Sequence, residues 1–185
     1  MRDISADSRS PADARPLTTP ASHFDHPAVE SVEQPTEVHQ GHYDVYEPIA
    51  GMAVVGVTDD AARVLLLVNE DAGHTLLPHA PVDPGEDFVA AGERAVRERV
   101  GIAVEVETIR RIRRKSFRAE TDDDYETTGY DVVFEATPRD SSDPPNDPAI
   151  DDGDDWTVGW YETFPTDPER GNQNVVADIR SFLDR

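Results

Sequence analysis

Apolar residues fall along the chain in short runs whose spacing separates strands from helices. Ile49–Thr58 sets Ile49, Met52, Val54, Val55 and Val57 among small residues and reads as a strand. Asp59–Ala62 makes a turn, and Arg63–Asn69 returns as a second strand. Its VLLLV segment is apolar at every position, which suits a central strand covered on both faces. Asn69–Gly73 turns again into a strand end at Thr75–Pro78. A loop with Pro81, Pro84 and Gly85 then precedes a helix. Asp87 stands where an N-cap belongs, and Phe88, Ala91, Ala95 and Val96 share one helical face, with Val89 and Val100 near it. Gly101 ends the helix as a C-terminal glycine does.

Beyond the helix, Ala103–Thr108 alternates Val104 and Val106 with Glu105 and Glu107, as a half-buried strand does. Thr121–Thr127 reads as an acidic loop. Gly129–Thr137 follows as a strand, with Tyr130, Val132 and Phe134 on one face and Val133 on the other. Pro138–Asp155 is low in complexity and reads as a long surface loop. Asp155–Phe164 is a last strand in which Trp156, Val158 and Trp160 alternate, and core and edge packing suits both tryptophans better than base stacking. Asn172–Leu183 closes the chain as a helix, with Val175, Val176, Ile179, Phe182 and Leu183 at helical spacing. Residues 1–40 show no sustained period, and Pro11, Pro16, Pro20, Pro27 and Pro35 interrupt them. The expectation is a disordered, acidic, Pro-rich tail over 1–40 and a folded domain over 41–185, with Ala28–Val38 as a short strand or turn on that domain. A solubilising extension is the simpler use for such a tail; a regulatory arm is the other.

The segment from His74 to Ile102, HTLLPHAPVDPGEDFVAAGERAVRERVGI, resembles the signature of the Nudix hydrolases. Their box reads G, five residues, E, seven residues, then R-E-U-x-E-E-x-G-U, where U is a bulky aliphatic. Glu86 takes the first glutamate, Arg94 the arginine, Val96 the aliphatic, Glu98 the next glutamate, and Gly101–Ile102 the closing pair. Three positions depart: Ala80 stands at the glycine, Ala95 at the glutamate after the arginine, and Arg99 at the last glutamate. The resemblance covers about residues 46 to 185, and the order of strand, hairpin, strand, loop and helix agrees with it. It implies an α+β fold, a Nudix-type α/β/α sandwich around a mixed β-sheet. It also implies that Glu86 and Arg94 pair to brace the loop against the helix.

The resemblance implies metal chemistry as well, and the departures fall on it. Family members hold Mg2+ or Mn2+ on glutamates spaced i, i+3 and i+4, which share one helical face. The metal neutralises a diphosphate and activates the attacking water. Here that face offers Ala95, Glu98 and Arg99, so its formal charge goes from minus three to zero. A guanidinium donates hydrogen bonds and does not ligate cations. Glu98 is the one surviving candidate for metal ligand and catalytic residue, and carboxylates outside the box, such as Glu135, would have to complete an active site. Arg99 instead sets a fixed positive charge where the family keeps its metal.

Composition bounds the rest. At 185 residues the chain has room for one domain with a real core. It has no cysteine, which excludes disulfides and thiolate metal sites. The polar N-terminus and the short apolar runs predict no signal peptide and no membrane span, hence a cytoplasmic protein. A formal net charge of −22 argues against general nucleic-acid affinity. With Lys115 as the only lysine, the composition is similar to that of cytoplasmic proteins of halophilic archaea. There molar salt screens self-repulsion over about 3 Å.

Against that acidity stands one basic cluster. Arg110, Arg111, Arg113, Arg114, Lys115 and Arg118 supply 6 of the 17 Lys and Arg residues. On a regular strand Arg111, Arg113 and Lys115 would share one face, and Arg110, Arg114 and Arg118 the other. Either they bind phosphate, with Arg99, Arg111 and Arg113 as the leading candidates, or they balance acids such as Asp122, Asp123 and Asp124. His79 replaces a small residue of the family's loop, and proton transfer is weighed there against a plain loop histidine. Two functions follow from the resemblance. One is a hydrolase acting on a nucleoside diphosphate linked to another moiety, with catalysis weakened by the lost glutamates. The other is a module that binds a small phosphorylated ligand, using no metal.

Overall fold

A computed structural model describes residues 16–39, 50–119, 122–139 and 156–184. Ile49, the first 15 residues and residues 140–155 of the expected surface loop lie outside the described residues. The elements run β1 (Glu30–Glu33), β2 (Glu37–His39), β3 (Gly51–Val57), β4 (Val64–Asn69), β5 (His74–Leu76) and β6 (His79–Val82). They continue with α1 (Phe88–Val100), β7 (Val104–Ala119), β8 (Asp122–Pro138), β9 (Trp156–Tyr161) and α2 (Gln173–Leu183).

Two sheets form. The larger is ordered β1-β7-β8-β3-β6, with β2 also on β7, and it is mixed. β1 and β2 run parallel to β7, β3 runs parallel to β8, and the β7–β8 and β3–β6 pairs are antiparallel. The smaller is antiparallel, β5-β4-β9. Strand alternation puts Ala53, Val55, Val57, Val132 and Phe134 in one apolar cluster with Phe88, Ala91 and Val96 of α1. Val54 and Val133 face the other way, against Ile179 and Phe182 of α2. The helices thus cover opposite faces, and the α+β architecture is the expected α/β/α sandwich around a mixed sheet. Two glycines set how closely they sit. A Cβ on Gly92 of α1 would stand 3.0 Å from Val55, and one on Gly56 of β3 would stand 2.2 Å from the Phe182 ring.

Both helices begin and end as their sequences suggest. Asp87 accepts the Val89 N–H at 3.0 Å and Gly101 adopts φ 82°, closing α1 onto the Arg97 carbonyl. Asn172 accepts the Asn174 N–H at 2.9 Å and caps α2.

Four expectations change. His79–Val82 is a strand rather than loop, because β6 lies at a sheet edge and an edge strand tolerates Pro81. The strand expected to end at Thr108 runs to Ala119, pairing with a β8 that begins at Asp122 within the expected acidic loop. Residues 16–39 belong to the folded body rather than to a tail. Leu17 and Val29 are buried in the main core, and its backbone N–H and carbonyl link Leu17 to Asp87 and Phe88, each at 2.9 Å. Their apolar residues are too sparse to show a period, and pairing with β7 supplies the missing order. Finally, β7 is not regular. Register shifts between Val106 and Thr108 and between Ile109 and Arg111 place Val106, Ile109 and Ile112 on the α1 side at a spacing of three.

Candidate functional site

The box residues run from β6 through the connecting loop and α1 to its C-cap Gly101. Arg94 donates from Nη1 to Oε1 of Glu86, whose Oε2 accepts the Asp83 N–H at 3.0 Å. That backbone hydrogen bond, then the Arg94 hydrogen bond, holds the Glu86 carboxyl below its ordinary range. The glutamate joins the loop to the helix about two turns beyond the N-cap. Ala80 pairs with Ala53 in the β3–β6 ladder. Ala95 is buried at 2 % exposure, Glu98 is exposed, and Arg99 is half-buried in the last turn of α1. The helical face that carries the family's metal therefore presents one carboxylate, next to a guanidinium. Among the described residues no three His, Asp or Glu side chains are grouped to hold a metal ion. The donor set does not fit Mg2+, which wants several carboxylate or water oxygens.

Arg110, Arg111, Arg113 and Lys115 of the basic cluster lie on the other face of the sheet, under α2, and the bulges decide which of its members do so. Arg110, expected opposite Arg111, is carried to the same side. It reaches Glu135 at 3.2 Å and the Ser181 carbonyl at 2.7 Å, and lies over the Phe182 ring. Glu135, weighed as a replacement metal ligand, is thus held by an arginine. Arg111 pairs with Asp178 and with Glu30 at 2.7 Å. Arg113 donates to Asp178 at 2.7 Å and lies 3.6 Å from Asp131, which Lys115 meets at 2.5 Å. Six charges alternate along this line: Glu30, Arg111, Asp178, Arg113, Asp131, Lys115. For Arg111, Arg113 and Lys115 the balancing acids are Glu30, Asp131 and Asp178; the side chains of Asp122–Asp124 lie outside the described residues. Pairing also takes Arg111 and Arg113 out of the role of free phosphate ligands, since their terminal nitrogens already serve carboxylates. Arg114 faces the α1 side, over the Phe24 ring and paired with Glu33 at 2.6 Å.

Between the sheet and α2 lies a cavity of about 220 Å³. Met52, Val54, His79, Arg113, Lys115 and Asp131 form its floor, and Asn172, Asn174, Val175 and Asp178 come from α2 and its cap. Asn174 is fixed by an amide pair with Gln34, at 3.0 and 3.3 Å, so the N-terminal segment reaches the cavity's edge. His79 is the link to the box: burial holds its imidazole below the ordinary value of 6.5, and the Arg99 charge adds to that. Sequence reasoning missed Asp131, Asn174 and Asp178. Asp131 interrupts an apolar strand and Asp178 an apolar helix face, and a lone acid in an apolar stripe was the available signal.

No known family's sequence profile matches the chain, and no curated protein matches it by sequence. Several solved structures are similar to it. A Nudix hydrolase from Clostridium perfringens is 14% identical, with 73% of this chain and 96% of that one covered, at a TM-score of 0.44. An ADP-ribose pyrophosphatase from Streptococcus suis is 14% identical, with 72% and 88% covered, at 0.46. A Nudix hydrolase from Nitrosomonas europaea is 15% identical, with 76% and 73% covered, at 0.47. At such similarity, what this chain does is read from its own residues. No helix of the described residues is long and apolar enough to cross a membrane.

Proposed function

We propose that this chain is a Nudix-type domain that holds a small phosphorylated ligand, a nucleoside diphosphate linked to another moiety, with metal-dependent hydrolysis weakened or lost. The observation that carries the reading is the α1 face itself. Glu98 stands there between a buried Ala95 and an Arg99 for which the described residues offer no ion pair. Arg99 supplies locally the positive charge that family members obtain from a metal. The Glu86–Arg94 brace, which family members use to position the loop, is kept. The cavity beside His79 gives the rest of the ligand a place to sit. The acidic surface suits a cytoplasmic protein working in high salt.

The test is nucleotide binding in the presence of a chelator. Affinity for uridine 5′-diphosphate should survive removal of divalent cations. It should weaken on Arg99→Ala by about 1.5–3 kcal/mol, the worth of a hydrogen bond to a charged group. Binding that requires Mg2+ and ignores Arg99 would refute the reading. The retained brace and the exposed Glu98 favour a second one, residual hydrolysis with Mg2+ or Mn2+ on Glu98, in which Glu98→Gln should abolish turnover.

A further inference from the structure

We propose that His79 selects the uncharged part of the ligand, with its Nε2 acting as a fixed hydrogen-bond acceptor for a ring N–H of a neutral planar heterocycle. This rests on the binding reading above and names what the cavity takes.

The geometry begins with the ring's other nitrogen. Nδ1 of His79 lies 2.9 Å from the Leu77 carbonyl oxygen. A carbonyl oxygen only accepts, so Nδ1 carries a proton, and in the neutral ring that burial favours Nε2 keeps its lone pair. No hydrogen bond reaches Nε2 among the described residues. The backbone of His79 is held in the β3–β6 ladder opposite Val54, and the two side chains line the same cavity. The acceptor is thus set in place before any ligand arrives, so its orientation costs little on binding.

The cavity's charges say what kind of group it suits. Arg113 and Lys115 from β7 face it together with Asp131 from β8 and Asp178 from α2. They are paired among themselves, two cations with two anions. Arg99 acts on the imidazole from α1. A phosphate inside would meet the two carboxylates as closely as the two cations, whereas a neutral group with a donor meets no such penalty. Met52, Val54 and Val175 offer apolar surface for ring faces. The volume lies below the range of about 300–1,000 Å³ usual for whole drug-sized ligands. One ring fits, and charged groups would stay outside, on the Arg99 side.

The test uses the full chain and three probes: uridine 5′-monophosphate, its N3-methyl derivative, and inorganic phosphate. Long-range proton–nitrogen NMR at neutral pH should find His79 protonated at Nδ1 and bare at Nε2. The first nucleotide should shift the Nε2 resonance and bind about tenfold more tightly than the methylated one, the upper worth of one neutral hydrogen bond. His79→Phe should erase that ratio. His79→Gln, which keeps an acceptor, should retain part of it and serves if the phenylalanine variant does not fold. A proton on Nε2, a ratio of one, or nucleotide binding that leaves Nε2 unmoved overturns the assignment. If phosphate binds through Arg99 while neither nucleotide touches His79, the binding reading stands and the His79 assignment falls. If none of the three binds, both fall.

Discussion

Asp178 of α2 receives Arg113 of β7 at 2.7 Å, with both residues almost fully buried and 65 positions apart in the chain. The same Asp178 oxygen also accepts from Arg111. One carboxylate therefore ties the closing helix to the sheet. Removing one partner of a buried pair costs about 3–5 kcal/mol, because the remaining charge is left uncompensated. Asp178→Ala should lose that much in urea unfolding at fixed salt. Among the described residues, the Nε atoms of Arg111 and Arg113 are buried without a hydrogen-bond partner. Replacing Arg111, Arg113 and Asp178 together by Met, Met and Leu should cost far less than Asp178→Ala alone. A triple variant less stable than the single one would show that the network contributes more than it costs.

Gly56 sits beneath Phe182, so a methyl group there must move the ring. Gly56→Ala is expected to destabilise by about 1–3 kcal/mol, as overpacking does. Adding Phe182→Leu should recover part of the loss, since both act on one contact. Two losses that simply add would mean that Phe182 is displaced at no cost.

Two groups of the site give testable pH dependence. The folded-state pKa of Glu86 lies below its ordinary 4.5, so its contribution is complete above pH 4.5 and is lost as pH falls through the folded value. Glu86→Gln should flatten stability against pH in that acid range. His79 is depressed below 6.5, so the unfolded chain binds the extra proton first. Stability should drop as pH falls from 6.5 toward the folded value and level off below it. His79→Gln should remove that step. An unchanged profile between pH 6.5 and 5 in the variant would contradict the burial of His79.

The N-terminal segment should behave as part of the domain. Leu17 donates its N–H to the carboxylate that caps α1, and Gln34 holds Asn174 at the start of α2. Limited proteolysis should spare residues 16–33, and Leu17→Ala should cost about 2–5 kcal/mol, as for a buried leucine. Cleavage within 20–30 at the rate of an unfolded chain would restore the tail reading.

The long-period elements were legible in the sequence because each carries its own pattern. The VLLLV strand, the Asp87-to-Gly101 helix and the Trp156 strand are set by residues within one turn or one ladder. The Glu86–Arg94 contact was anticipated only through the resemblance, which implies that these two residues pair. What escaped was non-local. β1 is held by pairing with residues about 80 positions away, and its own burial pattern shows nothing. The β7 bulges moved Arg110 across the sheet, and strict alternation cannot foresee a bulge. Arg111 and Arg113 meet Asp178, and Arg113 lies beside Asp131, acids that the fold brings in from other elements and that no local pattern marks as their partners.

Magnesium binding measured by calorimetry in high potassium chloride tests the central claim most directly. The unmodified chain is compared with Glu98→Gln and with the double variant Ala95→Glu, Arg99→Glu, which returns three carboxylates to the helix face. The unmodified chain should show no saturable binding, and the double variant should gain it. Tight binding by the unmodified chain, lost in Glu98→Gln, would mean that one box glutamate still builds a metal site, and that the chain acts through the metal rather than through Arg99.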